Sequence, residues 1–575
     1  MSLKNKTNLL ICSGLLLLAI AVRVICFVGL IGSDDLNYNR SAYEIATKTF
    51  TPQIDHQRMR LGLLLPVAAA FKFLGVNEFS SLLFPFGCFL VTFSMLVYIG
   101  TIALGKWIGI VAGILYIFLP VELFDATMLL PDLPAATFVL LSGALFYLTP
   151  GPLSSTRRGG SSNDLTPPLL DKERGQGVRL SCGGLFLSGL LLGWAYLIRE
   201  TAIFFAIFIG GCMAYHVWRR KTVPWRWLWF WGGLLSVFGA ECGYYYLTTG
   251  TPFYRYVTIE SGHNLSVLAL YDRVHGWALL RRLTLDQLRV LFDVPNFNFY
   301  YFFILAGIIY AIQKRMHGVY YFSGWLLTFF LLFNFASTSL VEYYPIRSIP
   351  RYFIALTCPG LIIMAWYLRE TAALLAAETR AELRPWRYSL GIPFLLMIVI
   401  NVVWFSLART IFLLGMAGLL LITYIPAAQT WIRLRIPPKQ RAVVLPLLLL
   451  YLSLLPGIYT VAQREHPGQK LTCERELRGL FEFPLTHTIY TDSRTEAILE
   501  YFYEYQAAER IRPFDELDRK TVQNAYLIAN WERLFFLNRL YRVPIPDYVY
   551  HPLPQWKLKA QIGGYVNPCL IYEIP

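Results

Sequence analysis

Residues 9–40, LLICSGLLLLAIAVRVICFVGLIGSDDLNYNR, read as a membrane span that ends on two acids. The apolar run Leu9–Ile31 is long enough to cross a hydrocarbon core, which takes about 20 residues. Asp34 and Asp35 follow at its edge, where a carboxylate would cost roughly 2.5–3.5 kcal/mol if drawn to the helix centre. Another acid, Asp132, follows Pro131 and opens a second apolar run, Leu133–Leu148. Acids placed this way on one membrane face point to a polar chamber at the end of the spans.

The rest of the chain agrees with a membrane protein. Of its 575 residues 56% are hydrophobic and 15% charged, against about 25% charged in soluble domains, and the mean hydropathy is +0.48. The pattern predicts a mainly α fold, a polytopic membrane helical bundle of about 13 spans. They fall near 9–31, 81–104, 107–124, 133–149, 183–199, 201–218, 227–248, 298–313, 319–340, 352–368, 389–407, 410–427 and 442–461. With the N-terminus in the cytoplasm, Lys106, Arg157–Arg158, Lys172–Arg179, Arg219–Lys221, Lys314–Arg315, Arg380–Arg387 and Arg433–Arg441 all fall inside. The net charge of +15 is then a topology signal, not a nucleic-acid footprint. Asp34, Asp35, Asp132, Arg199, Glu200 and Arg351 fall on the outer side, as does the C-terminal tail.

Leu61–Gly75 is apolar but spans only about 22 Å at 1.5 Å per residue, short of a roughly 30 Å core. Counting it as a span would also invert every later loop. Residues 36–50 and 61–75 are therefore expected to be helices in the outer interface. Residues 150–181 are rich in Gly, Ser, Pro and charge, and read as a disordered cytoplasmic insertion in a membrane unit spanning 1–461. Lys4 and Lys6 precede an apolar run with no cleavage site, the pattern of a retained anchor in a multi-pass inner (plasma) membrane protein.

From 462 to 575 hydropathy falls and the pattern predicts a small extracytoplasmic α/β domain. Strands are expected at His487–Asp492, Ala525–Ile528, Lys557–Gln561 and Leu570–Glu573, helices at Arg494–Gln506 and Trp531–Tyr541, and a turn at Gly563–Gly564. Ser493 to Glu496 has capping-box spacing. There is no Gly-rich phosphate loop, which removes support for a nucleotide site. Of nine cysteines only Cys473 and Cys569 lie in the tail, where they could pair in an oxidising compartment.

The candidate chemistry lies in the outer loops. Arginines can hold a phosphate while an acid takes a proton from an attacking hydroxyl. The first loop supplies Asp34, Asp35 and Tyr38, then His56-Gln57-Arg58-Met59-Arg60. Asp132 sits between two prolines at a span end, where it could also cap the helix that follows. Arg199-Glu200 interrupts two apolar stretches, and Arg351-Tyr352 opens a later span. The loop 249–297 carries acids and histidines but no metal-ligand spacing, and nothing catalytic is assigned to it.

The first-loop Asp34-Asp35-x-x-Tyr38, the arginines before "LGLLLPVAAAFKFLG", and "MLLPDLPAATFVLL" two spans later together resemble the glycosyltransferase-C superfamily. The likeness is to its protein O-mannosyltransferase and aminoarabinose-transferase branches; it covers roughly 1–370, with "IPRYFIALTCPGLII" similar to an Arg-Tyr segment in bacterial relatives. The resemblance implies that the catalytic base is Asp34 or Asp35, with Asp34 favoured and Asp35 supporting, and that Asp132 is the second family acid. Arg58 or Arg60 stands where the aminoarabinose branch has a lysine, and the Lys-Pro-Pro form of that motif is absent.

The resulting expectation is an inverting membrane glycosyltransferase. It moves a hexosyl or pentosyl sugar from a polyprenyl phosphate to a lipid, glycan or protein acceptor on the periplasmic or extracellular side. Asp34, Asp35 and Asp132 would be catalytic and Arg58, Arg60 and Arg351 would hold the donor phosphate. Tyr38, His56, Arg199, Glu200 and Tyr352 would contact substrate. No cofactor is required by the pattern, and a divalent metal stays open. The alternative is a transporter or lipid flippase that breaks no bond, but the acids gather at span ends rather than mid-membrane and the halves do not repeat.

Overall fold

The structure, a computed structural model, describes residues 3–148, 182–265, 276–339, 341, 343–377, 380–424, 454, 471–481, 484–519, 521–563 and 567–575. The expected span at 442–461 and the insertion at 150–181 lie outside these residues, apart from Leu454. The first helices are α1 (Leu3–Ile25), α2 (Asp34–Ala46), α3 (Leu61–Leu74), α4 (Glu78–Leu104), α5 (Lys106–Ile117), α6 (Pro120–Asp125) and α7 (Asp132–Leu148). Then come α8 (Cys182–Ile198), α9 (Phe204–Arg220), α10 (Leu228–Thr249), α11 (Tyr254–Leu265), α12 (Tyr300–Lys314) and α13 (His317–Phe335). After a 3₁₀ turn at Pro350–Phe353 the bundle closes with α14 (Ile354–Ala377), α15 (Arg380–Val403) and α16 (Leu407–Tyr424).

Among the described residues five helical segments are long and apolar enough to cross a membrane: Glu78–Leu104, Glu200–Arg219, His317–Phe335, Pro350–Leu374 and Arg384–Val403. Apolar helices of 10–17 residues account for several other expected spans. The chain is a multi-pass helical membrane protein, with a core in which α14 packs against α5, α7, α12 and α13.

Two predicted spans end early, for identifiable reasons. The first stops at Ile25 rather than Ile31, and the backbone turns at Gly29, φ 77°. Val28 N–H donates to Thr127 Oγ1 at 3.0 Å, and Gly29 N–H to the Thr127 carbonyl at 3.1 Å. These bonds stitch the approach to Asp34 onto the segment before Asp132. The predicted span 107–124 is divided after Ile117, because Pro120 starts a new helix, α6, where its missing N–H costs nothing. Arg23, inside the first apolar run, is fully buried, donates to the Ile117 carbonyl at 2.9 Å and lies 4.2 Å over the Phe89 ring. These contacts hold Arg23 where α1 meets the end of α5.

Helices α2 and α3 occupy the two stretches read as interfacial. They pack on each other, and α3 also packs on α4 and α8. The α3–α8 crossing is close: a Cβ on Gly62 would lie 2.8 Å from Ile198 Cγ1 and 2.9 Å from the Ile198 backbone nitrogen.

The tail contains a five-stranded sheet of order β2-β1-β3-β5-β4, formed by β1 (Thr488–Thr491), β2 (Ile511–Pro513), β3 (Ala525–Asn530), β4 (Lys557–Ile562) and β5 (Cys569–Ile574). Strands β2 and β3 flank β1 in parallel, and β5 runs antiparallel to β3 and β4. Helices α17 (Thr472–Leu480), α18 (Ser493–Phe502) and α19 (Trp531–Tyr541) accompany it. Strand β2 went unread because it is three residues long and ends in proline, which only an edge strand tolerates. The cap of α18 is Asp492 rather than Ser493: its carboxylate accepts from Arg494 N–H and Thr495 N–H, both at 3.0 Å. Cys473 and Cys569 are disulfide-bonded, with Cα atoms 6.3 Å apart.

The tail packs on the bundle through its helices. Leu471, Ile498, Tyr501 and Phe502 share one apolar cluster with Leu30, Leu36, Tyr38 and Leu63. Ser81 Oγ bonds Tyr501 OH at 2.7 Å, and Arg475 pairs with Glu78 at 2.9 Å.

The close crossing gives a direct check. Gly62→Ala should lower the thermal midpoint of the detergent-solubilised protein, at a cost of about 1–3 kcal/mol for overpacking. Gly87→Ala, where a Cβ meets nothing within 4 Å, should not.

Candidate functional site

The site is built where three distant segments meet: the turn entering α2, the start of α7, and the 3₁₀ turn before α14. Asp132 is the first residue of α7, but its carboxylate does not cap that helix. One oxygen is in close contact with Arg199 NH1, and the other lies 3.2 Å from Arg351 Nε. The Asp132 side chain is only 3% exposed, so two cations surround a carboxylate withdrawn from solvent.

Arg351 also reaches the first loop. Its NH2 group donates to Asp34 Oδ2 at 3.3 Å, and Gln57 Nε2 donates to Asp34 Oδ1 at 3.0 Å. Asp34 is 40% exposed. The arrangement is a chain of alternating charge, Asp34–Arg351–Asp132–Arg199, open at the Asp34 end and closed at the other. Arg199 lies 3.5 Å over the Tyr352 ring, a cation–π contact that fixes the guanidinium plane. Below it a narrow cleft is lined by Asp132, Arg199, Thr201, Phe329, Phe333 and Tyr352.

Asp35, one residue from Asp34, is used differently. It is fully buried and accepts from the backbone N–H groups of Ile31 (2.7 Å), Gly32 (3.3 Å) and Ser33 (2.5 Å). Burial pushes its carboxyl above the usual carboxylate range, against the pull of those donors. Asp35 thus holds the turn that aims Asp34 outward, and does not itself reach the charge chain.

The two arginines of the first loop also part company. Arg60 donates to the Tyr38 hydroxyl in a very short contact and lies 5.5 Å over that ring. Arg58 pairs with Glu44 at 2.6 Å, donates to the Thr51 carbonyl at 2.9 Å, and lies over the Phe50 ring. Arg58 is therefore tied to the α2–α3 connection, away from the acids. His56 is exposed, within electrostatic reach of Arg60, Glu200 and Asp34.

Glu200 meets a residue the sequence reading did not single out. Its Oε1 accepts from Arg255 Nε at 3.1 Å and NH2 at 2.9 Å, while Arg255 NH1 pairs with Glu241 at 2.6 Å. Arg255 is buried at the start of α11 and stacks 4.7 Å over Tyr196. Nothing in the segment 249–297 marked this arginine, and only the contact across three helices reveals it. Gln57 was likewise passed over between His56 and Arg58. Among the described residues no group of three or more His, Cys, Asp or Glu side chains gathers as a metal site would require.

Exposure decides what each acid is worth to stability. Removing the charge of Asp132 leaves buried Arg199 unpaired, and breaking a buried pair costs about 3–5 kcal/mol. The half-exposed Asp34–Arg351 pair contributes no more than about 1 kcal/mol. Asp132→Asn should therefore lower the thermal midpoint markedly and Asp34→Asn hardly at all; equal shifts would contradict the geometry.

No family model matches the sequence, and no curated protein matches it. Solved structures do match. The crystal structure of ArnT from Cupriavidus metallidurans in the apo state aligns with a TM-score of 0.52 at 13% identity, over 99% of this chain and 98% of that one. An oligosaccharyltransferase from Archaeoglobus fulgidus, tethered to an acceptor peptide, aligns with a TM-score of 0.50 at 12% identity, over 91% of this chain and 69% of that one. Both are members of the glycosyltransferase-C superfamily, and the fold of this chain is the one its first-loop motifs implied.

Proposed function

We propose that this chain is a membrane glycosyltransferase that moves a sugar from a polyprenyl phosphate to an acceptor in the chamber at Asp34. The observation that carries the reading is Arg351 bridging exposed Asp34 and buried Asp132. The fold shared with ArnT, itself an aminoarabinose transferase, supports the same general kind of reaction.

The charges divide the labour. Arg351, Arg60 and Arg199 supply cations for a phosphate, and Asp132 fixes two of them without competing for solvent. Asp34 is the accessible carboxylate. Its Oδ2 is engaged by Arg351 at 3.3 Å. A donor phosphate that takes over the guanidinium frees that oxygen of Asp34 for the acceptor. Asp34 then accepts the proton of an acceptor hydroxyl as that oxygen bonds to the anomeric carbon. The bond from that carbon to the phosphate oxygen breaks, and polyprenyl phosphate leaves with the electron pair, held by arginines aimed at the developing charge. A single displacement from the face opposite the phosphate inverts the anomeric centre.

The same reading divides the chain into a membrane catalytic unit, 1–461, and an extracytoplasmic unit, 462–575. The disulfide between Cys473 and Cys569 supports an oxidising compartment for the tail, outside an inner or plasma membrane. Helix α18 of the tail and the residues flanking Asp34 share one packed cluster, which supports a site on the same side as the tail.

The test is transfer from a panel of polyprenyl-phosphate hexoses and pentoses, read as acceptor-dependent release of polyprenyl phosphate. Asp34→Asn should lower release about 10²–10⁴-fold, the usual contribution of a general base. Arg351→Gln should raise the donor KM. Undiminished release by Asp34→Asn would overturn the mechanism. Movement of intact donor lipid across the membrane without release would favour a flippase.

A further inference from the structure

Open sheets with parallel strands leave a crevice at the carboxyl ends where the chain departs in opposite directions from neighbouring strands, and ligands commonly bind there. In the tail that position lies between β1 and β3, since β2 flanks β1 on the other side. Asp492 follows β1 and Asn530 ends β3, and the first turn of α18 rises beside them. What reaches this corner is the protein's own first loop. Arg494, in the first turn of α18, donates from Nε to the Gly32 carbonyl at 2.6 Å. Gly32 has φ 66°, and a Cβ there would lie 2.8 Å from Ile498 Cδ1 and 3.1 Å from Leu471 Cδ2, both fully buried residues of the tail.

The peptide that Arg494 grips is the one that sets the aim of Asp34. Gly32 N–H is bonded by Asp35 and its carbonyl by Arg494, so the turn is fixed from two sides immediately before Ser33 and Asp34. The guanidinium is itself held 4.6 Å over the Phe536 ring of α19. Loss of Asp35 or Arg494 would leave the other half of the grip, whereas the apolar packing of Ile498 constrains position but not the carbonyl direction.

We propose that Arg494 is a positioning residue for the base: the tail clamps the Gly32 carbonyl and thereby orients Asp34. The proposal rests on the glycosyl-transfer reading for its kinetic consequence, but not for its structural one. A misplacement of about 1 Å can cost up to 10²-fold in rate. Arg494→Ala should therefore lower kcat roughly 10- to 100-fold and leave the donor KM within about twofold, with Arg494→Lys restoring most of the loss. Arg475→Ala removes a different tail-to-bundle contact and should leave kcat unchanged. Wild-type kcat in Arg494→Ala, an equal fall in Arg475→Ala, or no recovery with lysine would overturn the proposal.

If Arg494→Ala does not accumulate as folded protein, Arg494→Gln carries the test, with a reduced kcat and unchanged KM expected and wild-type kcat contradicting. Amide hydrogen exchange across Ile31–Leu36 separates the two readings. Faster exchange in the Arg494 variant supports the clamp even if the wild-type protein transfers no sugar, a result that would count against glycosyl transfer alone. Unchanged exchange would sink the clamp.

Discussion

A carboxylate with 3% exposure between two arginines organises this molecule. Asp132 alone could not be withdrawn from water, because an isolated buried charge costs several kcal/mol. Arg199 and Arg351 make it tolerable, and in doing so they tie the start of α7 to the hairpin after α8 and to the turn before α14. Residues more than 200 positions apart in sequence, Asp132 and Arg351, are thus held together. Arg351 has a second face, and Asp34 meets it. The buried network thus ends in a part-exposed ion pair, Asp34–Arg351.

The rest of the chain serves that presentation. Thr127 stitches the extended stretch after α1 to the segment that leads into Asp132, so the two acids approach from one strip of structure. Asp35 spends its charge on three backbone amides. Gln57 holds the remaining oxygen of Asp34. Helix α18 of the tail leans on the same loop through Ile498 and Arg494. A second charged chain, Glu200–Arg255–Glu241, ties α10 and α11 to the residue beside Arg199.

Much of this was legible from span parity. Charges at the ends of apolar runs can be assigned to one side by counting crossings against basic loops. That is why Asp34, Asp132, Arg199 and Arg351 could be grouped before any coordinate. Parity cannot distinguish adjacent residues, however. Asp34 and Asp35 differ only in which side of a turn they leave, and that turn depends on positive φ at Gly29 and Gly32. Arg58 and Arg60 also part, one turning to Glu44 and the other to Tyr38. Helix ends were hidden wherever the cause was tertiary: α1 stops early because its continuation finds hydrogen-bond partners elsewhere. Arg255 was hidden because its partners lie on other helices. In the tail, short apolar runs between breakers placed four strands and the two longer helices, and the three-residue β2, ending in proline, was too brief to read.

Arg351 joins the two acids, Asp34 and Asp132, in one site. An electron cryo-microscopy map of the protein in lipid nanodiscs, at a resolution that shows side chains, tests it most directly. The account predicts the Arg351 guanidinium within hydrogen-bond reach of both Asp34 and Asp132, with Asp35 turned into the backbone of residues 31–33. A map that places Asp34 and Asp132 apart, or Arg351 against neither, would contradict it.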